Sequence, residues 1–350
     1  MKNDQQQFEK TLPPFKLAII GIGKISYGSH IPAALSSPLV KLVGFVDPET
    51  GRAQQIANEF GLSVEIASSI TDMKGEVDGA LIATPNHLHA PLAIECLQNG
   101  MHALIEKPLA STVQEGLDII DMEKQSGKRV AVGYCTRFYP NFQLLKDLLD
   151  EGYFGTVKKF AYQFGTPGGW ATFSNYLMKR QHIGGGVLVV TGTHFLDRML
   201  HLFGFPDDIQ LKDDSLGGPE ANARMFMKFG QGAEHILGYV HFSKTTALPS
   251  GLVLDTEKGH VLLPDNMKDL VLYPHDQPDL AINLSRINGK PSPASQFQQQ
   301  IEDFVLSCQL NRKPMVSAEE GLLSLRLLEK AYQHREALPD TWYEKNGRVQ

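Results

Sequence analysis

Lys16-Leu17-Ala18-Ile19-Ile20-Gly21-Ile22-Gly23-Lys24-Ile25-Ser26 carries the reading on which the fold turns. The run Lys16–Ile20 is strand-like and ends in a glycine-rich turn that opens a helix. Gly21 permits the tight turn and Gly23 lets backbone approach a pyrophosphate. The helix N-terminus supplies free N–H groups and a positive dipole end for the phosphates. The candidate contacts in this turn are Gly21, Gly23, Lys24 and Ile25. Ser26 stands where such a turn favours Gly or Ala, which predicts slightly looser helix-to-strand packing.

Two glycines in a turn are a weak signal, and the second strand strengthens it. Val46-Asp47 ends that strand about 25 residues further on, where an acidic side chain accepts hydrogen bonds from both ribose hydroxyls and repels a 2′-phosphate. The expected cofactor is therefore NAD in preference to NADP, with Arg52 the residue most able to reverse that choice.

Outward from this turn, short apolar runs alternate with amphipathic stretches up to Tyr134, the pattern of a parallel sheet covered by helices on both faces. Strands are predicted at Lys16–Ile20, Lys41–Val46, Val77–Ala83, His102–Ile105 and Val130–Tyr134. Gly61, Gly100 and Gly127 sit where helices need a left-handed terminal residue, and Thr112 with Glu115 has capping-box spacing. After Tyr134 a helix at Phe142–Leu149 gives way to alternating strands at Val157–Phe164, Arg224–Phe229, Ala233–Phe242 and Gly251–Asp255. Hairpin turns are expected at Phe229–Gly232 and Glu257–Gly259, so the second sheet is antiparallel or mixed. Two helices close the chain, one on Phe297, Ile301, Phe304 and Val305, the other behind a Ser317/Glu320 capping box. The expected division is an arm over residues 1–14, a dinucleotide domain over 15–135 and a second domain over 136–350.

The net charge of −6 gives no electrostatic footprint for nucleic acid or an anionic membrane. Cys96, Cys135 and Cys308 are scattered without metal-like spacing, so neither a zinc site nor a disulfide framework is implied and a reducing cytoplasm fits best. The first residues lack a secretory signal, and no run approaches a membrane span.

Two further loops follow strand ends, where open α/β sheets bind ligands. Thr84-Pro85-Asn86-His87-Leu88-His89 contains an Asn86 suited to cap the next helix, and its two histidines are either solvated or cofactor-lining. Glu106-Lys107-Pro108 follows the strand His102–Ile105. A lysine there can steady a developing alkoxide and relay its proton, and the competing reading is a surface ion pair.

With these residues in view the chain resembles the glucose-fructose oxidoreductase, inositol dehydrogenase and MocA-like oxidoreductases, the Gfo/Idh/MocA family, from Lys16 to about Ala337. Carriers of the resemblance are Gly21-Ile22-Gly23, Thr84-Pro85-Asn86 with His89, and Glu106-Lys107-Pro108-Leu109. Gly184-Gly185-Gly186 leading to Gly192, His194 and Asp197, and the closing Ser317–Leu322 segment, complete the set. The resemblance implies an α/β Rossmann domain followed by an α+β domain with a large, mostly antiparallel sheet. It implies NAD or NADP used on sugars, inositols and related polyols, and a homodimer or homotetramer. It also implies a cofactor site that includes Thr84, Pro85, Asn86, His89, Glu106 and Lys107, with Lys107 binding the reacting hydroxyl and His194 assisting proton transfer or substrate binding.

One departure stands out. Many relatives carry an aspartate four residues before the histidine, whereas this chain has Val190. On a helix from Gly186 towards Phe203, Val190, His194, Asp197 and His201 share a face, and Thr191, Thr193, His182, Tyr134 or Tyr162 could take the missing acid's place. Gly165–Ile183, with Trp170 and Arg180, reads as a substrate loop in which aromatic faces meet sugar C–H groups; a plain surface loop is the competing reading. Substrate contacts are thus expected from Lys107, Trp170, Arg180, Thr191 and His194. Two other functions stay open beside a dehydrogenase. One is an NAD-dependent glycosidase-like enzyme with no net redox change, and the other is a dinucleotide-binding regulator that has lost its chemistry.

Overall fold

In the computed structural model, described over residues 12–73, 75–168, 184–215, 219–230, 235–265, 269–285 and 295–339, the apolar run before Gly21 becomes strand β1 (Phe15–Ile20). A π-helical turn, Ser26–His30, leads into α1 (Ile31–Ser36), and then β2 (Val40–Val46), α2 (Thr50–Glu59), β3 (Glu65–Ala67) and β4 (Gly79–Ile82) follow. Next come α3 (His89–Gln98), β5 (His102–Ile105), α4 (Val113–Ser126) and β6 (Val130–Val132). The six strands are parallel in the order β3-β2-β1-β4-β5-β6, a doubly wound sheet whose direction reverses between β1 and β4.

Both faces of this sheet are covered, which is why its strands read as continuous apolar runs. Ala18, Ile20, Ile82 and Ile105 pack into one core, and the alternating Leu17, Ile19, Leu81 and Leu104 pack into the other. Gly61, Gly100 and Gly127 take positive φ values of 65°, 77° and 67°, and Thr112 and Glu115 form the full capping box. Strand β3 has no counterpart in the sequence reading, because three residues are too few for an apolar run to register.

From α5 (Pro140–Asp150) the chain builds a different sheet: β7 (Val157–Gly165), α6 (Thr193–Phe203) preceded by a π turn at Leu188–Gly192, β8 (Asp208–Asp213), β9 (Asn222–Phe229) and β10 (Ile236–Ser243). Strands β11 (Leu248–Thr256), β12 (Gly259–Pro264), β13 (Leu270–Pro274) and β14 (Ile282–Leu284) continue it, and after α7 (Gln296–Gln309) and α8 (Ala318–Gln333) strand β15 (Arg335–Ala337) joins its edge. The order is β14-β13-β12-β11-β7-β10-β9-β8-β15, antiparallel except for the β7/β10 and β8/β15 pairs. Glu257 and Lys258 turn β11 into β12, with Asp255 opposite His260. The expected turn at Phe229–Gly232 lies partly outside the described residues.

By internal contacts the chain forms two compact units, Met1–Cys135 with Ser292–Leu325 and Thr136–Pro291 with Arg326–Gln350. The reading with one boundary after residue 135 lacks this return, whose cause is the apolar face of α7. Ile301, Phe304 and Val305 are fully buried in the same core as Phe15, Leu17 and Ile19, and the Phe304 ring meets Phe15 edge-on at 5.7 Å. Val316 then accepts a backbone hydrogen bond from Val132 at 3.0 Å, beside a bridge between Ala131 and Ser317. Among the described residues no helix is long and apolar enough to cross a membrane.

Candidate active site

Each unit carries its own share of the predicted site residues. In the first unit, Gly21 has φ +89° and donates its N–H to Val46, and a Cβ there would lie 2.7 Å from the Ala83 carbonyl oxygen. Only glycine fits where β1 and β4 diverge. A Cβ on Gly23 would meet nothing within 4 Å, so this backbone faces open space, as phosphate approach requires. Lys24 and Ile25 are exposed on the first turn of the helix. Ser26 corrects its own expectation: it is fully buried and its hydroxyl donates to the Gly21 carbonyl at 2.6 Å, closing the turn instead of loosening it.

Asp47 is buried at the end of β2, where its two oxygens accept from Ile22 N (2.8 Å), from Glu49 N (2.9 Å) and from Arg52 Nη2 (2.8 and 2.9 Å). A carboxylate has about four acceptor positions. All are taken, two of them by a half-exposed arginine that a ribose could displace.

At the switch point Thr84 and Pro85 are half-buried, and Thr84 Oγ1 is buried with no hydrogen-bond partner among the described residues. Together with the open Gly23 backbone and the acidic end of β2, this orphaned hydroxyl fits a dinucleotide, which Gly21, Gly23, Asp47 and Thr84 would hold. Asn86 opens a 3-10 turn, Asn86–Leu88, and α3 begins beyond it at His89, so Asn86 does not cap that helix. His87 is exposed. His89 is fully buried: its Nδ1 lies 2.7 Å from the Pro108 carbonyl and its Nε2 3.0 Å from the Thr84 carbonyl. It therefore ties two loops together, with both ring nitrogens engaged by backbone carbonyls. Burial pulls its pKa down, while the two carbonyls, which only accept, pull the other way.

Glu106 follows β5 beside this loop, its N–H on the Ile82 carbonyl. One carboxylate oxygen accepts from the N–H of Lys107 at 3.0 Å, and the other lies 2.9 Å from Nε2 of buried His30. The Lys107–Pro108 peptide is cis. Lys107 is half-buried, and burial pulls its ammonium below the ordinary lysine pKa, opposed by Glu106 and, more weakly, by neighbouring Cys135. A lysine of this kind exchanges a proton more readily than a surface lysine, so the surface ion pair considered from sequence does not describe it. His30 is a site residue the sequence reading passed over, since a lone histidine ten residues into such a segment carries no local signal.

In the second unit the glycine run has a packing explanation. A Cβ on Gly185 would come 2.2 Å from the Tyr332 hydroxyl, and one on Gly186 2.1 Å from the Glu220 carbonyl. Glu220 then accepts Val187 N on its carbonyl (2.8 Å) and Leu188 N (3.1 Å) and Tyr332 OH (2.7 Å) on one carboxylate oxygen, anchoring the start of the helix that carries His194. Burial pushes the Glu220 carboxyl and the Tyr332 hydroxyl up. The π turn at Leu188–Gly192 contains Val190 and Thr191, so the α-helical spacing that put Val190 on one face with His194 breaks there. His194, in the first turn of α6, is half-buried, as is Thr191.

Asp197 is fully buried and held in two hydrogen bonds by Arg137 (2.7 and 2.8 Å), whose Nη1 donates to Nδ1 of His201 at 3.1 Å. Of the residues considered for the missing acid, Thr193 donates to the Val189 carbonyl at 3.1 Å and Tyr162 is bonded to Asp265. Tyr134 is fully buried. His182, Trp170 and Arg180 lie outside the described residues. Among the described residues no group of three or more His, Cys, Asp or Glu side chains could hold a metal ion.

Comparison with known proteins places this geometry. Residues 15–134 match the oxidoreductase family model with an NAD-binding Rossmann fold, and residues 142–261 match the GFO/IDH/MocA C-terminal domain. The chain is 28% identical over 225 residues to D-glucoside 3-dehydrogenase of Escherichia coli, covering 63% of this chain and 60% of that protein. It is 27% identical over 237 residues to scyllo-inositol 2-dehydrogenase (NAD(+)) of Bacillus subtilis, covering 66% and 65%. These matches thus span less than two thirds of either relative. The structure of aldose-aldose oxidoreductase from Caulobacter crescentus complexed with glycerol superposes with a TM-score of 0.80 at 20% identity, over 92% of this chain and 97% of that one, which shows a shared fold. The two family models, following one another in this order along a chain with these two sheets, establish that it belongs to the Gfo/Idh/MocA family of oxidoreductases.

Proposed function

We propose that this protein is a nicotinamide-dependent oxidoreductase that transfers a hydride to or from a carbinol carbon of a sugar, inositol or related polyol, with NAD as the favoured dinucleotide. The observation that carries the reading is Lys107: a desolvated lysine on a held turn at the carboxyl end of β5, one strand from the switch point. The nicotinamide, when bound, takes or returns the hydride. Lys107 is assigned the place next to the substrate oxygen, where it moves the proton, and His194 the assisting role that the family resemblance implies. Thr191 is assigned a further substrate contact; Trp170 and Arg180, expected from sequence to share that role, lie outside the described residues. The glucoside and inositol dehydrogenases among the relatives support the substrate class.

A panel of polyols, aldoses and ketosugars with NAD and NADP, followed at the reduced-nicotinamide absorbance band, tests this. Turnover with one class supports the reading. Silence across the panel with NAD firmly bound contradicts it and favours chemistry without net redox change.

Cofactor choice has its own test. Arg52 occupies acceptor positions on Asp47 at the end of β2, where its guanidinium could meet a 2′-phosphate. Arg52→Leu is expected to raise the NAD:NADP ratio of kcat/KM, and Asp47→Ser to lower it, each by roughly tenfold, the worth of one charge-assisted hydrogen bond. Unchanged ratios in both variants would remove Asp47 from cofactor selection.

We also propose a homodimer or homotetramer in a reducing cytoplasm. Phe226, Tyr239, Ala161 and Val253 form one row across β9, β10, β7 and β11, with Phe226 45% and Val253 40% exposed. Such an apolar row fits a subunit contact, and light scattering of the purified protein measures its stoichiometry.

A further inference from the structure

We propose that His30 is a positioning residue for Lys107: from the helix that opens at the phosphate-binding turn, its imidazole holds the Glu106 carboxylate against the N–H of Lys107. The inference rests on the reading of Lys107 as the group beside the reacting oxygen.

Four observations converge. His30 is 1% exposed, and its Nε2 lies 2.9 Å from Glu106 Oε1. An ionised carboxylate only accepts, so this nitrogen carries the proton. Glu106 Oε2 in turn accepts from Lys107 N at 3.0 Å, and a Cβ on Gly133 would meet Glu106 Cα at 2.9 Å and Lys107 N at 3.1 Å, so the turn has no slack on that side. His30 lies in the π turn Ser26–His30, directly after the glycine turn, in a register an α-helix would not give it. Finally, its Nδ1 is buried without a hydrogen-bond partner among the described residues, and the Phe297 ring stands edge-on 5.2 Å away. An unsatisfied buried nitrogen is costly, so stability alone favours an apolar side chain here. A histidine that keeps one nitrogen orphaned in order to place the other on Glu106 serves the turn.

On this reading His89 grips the same turn from the other side, through the Pro108 carbonyl. Among the described residues, the titratable groups that interact electrostatically with Lys107 include Glu106, Cys135 and His89.

Two variants test the claim in the full-length protein, His30→Leu and His30→Gln, the second of which keeps an N–H within reach of the carboxylate. Dinucleotide affinity is measured by titration with NAD, kcat with the substrate found in the panel, and the titration of Lys107 by competitive acylation with peptide mass spectrometry. In His30→Leu, kcat is expected to fall about tenfold or more while the dinucleotide Kd stays within about threefold. Loosening the turn admits water, so the Lys107 titration is expected to move up by about half a pH unit or more. His30→Gln is expected to recover much of both effects. If the leucine variant does not fold, His30→Ala with and without added imidazole gives the same comparison within one protein.

An unchanged kcat and Lys107 titration in a folded variant would overturn the proposal. So would a loss confined to stability or NAD affinity, or one that neither glutamine nor imidazole repairs. The acylation readout needs no substrate. A wild type without turnover therefore counts against the proposed reaction, while the Lys107 titration still decides the role of His30.

Discussion

Replacing Lys107 with alanine is expected to lower turnover by about 10²–10⁴-fold, the usual worth of a positioned proton-transfer group, while the dinucleotide Kd stays within about threefold. The split follows from where the lysine stands. The dinucleotide contacts read from Gly21, Gly23 and Asp47 belong to the ends of β1 and β2, whereas Lys107 follows β5. Equal losses in affinity and turnover would show that Lys107 holds cofactor and does nothing else.

The same lysine sets a pH dependence whose sign can be worked out. Burial lowers its pKa from the ordinary lysine value. To take a proton from an alcohol the amine must be neutral, so oxidation is expected to rise as pH climbs through this lowered pKa. Reduction, which needs the ammonium, falls over the same range. Lys107→Arg retains the charge but has no accessible neutral form, so the oxidation limb should vanish with it.

The largest expected effect on stability lies in the second unit. Arg137 and Asp197 form a two-bond ion pair with side chains only 2% and 0% exposed. Asp197→Ala leaves a guanidinium buried without its counter-charge, and a loss of roughly 3–5 kcal/mol is expected in the denaturant midpoint analysis. Converting both partners to apolar residues of similar size, Arg137→Met with Asp197→Leu, should recover most of that loss because no charge is then stranded. A full-strength Asp197→Ala protein, or a double variant as weak as the single one, would contradict the burial of the pair. The pair also shows that Asp197, which the helical spacing placed with His194, is held by Arg137.

What could be read from sequence was what the backbone dictates locally. Gly21 needs a positive φ, Gly61, Gly100 and Gly127 end helices, and Thr112/Glu115 and Ser317/Glu320 cap helix starts. Each is a demand met within a few residues, so the spacing exposes it. Asp47 was legible for the same reason, as the end of a strand.

Partners distant in sequence were not legible. His30 meets Glu106 across 76 residues, Arg137 meets Asp197 across 60, and Leu188 finds Glu220 across 32, and no periodicity encodes such pairings. The two π turns were hidden as well, since the 3.6-residue period assumed for Gly186–Phe203 has no place for a wider turn at Leu188–Gly192. The return of α7 to the first unit was missed because its apolar face states that it is buried, not against what.

Hydride transfer itself is tested most directly by isotope. The protein is incubated with NAD and the polyol or sugar identified in the panel, deuterated at the carbinol carbon, and the cofactor is analysed by mass spectrometry. Deuterium recovered at C4 of the reduced nicotinamide, and abolished in Lys107→Ala, is the expected result. Reduced cofactor without label, or label lost to water while NAD remains oxidised and bound, would contradict the proposed reaction.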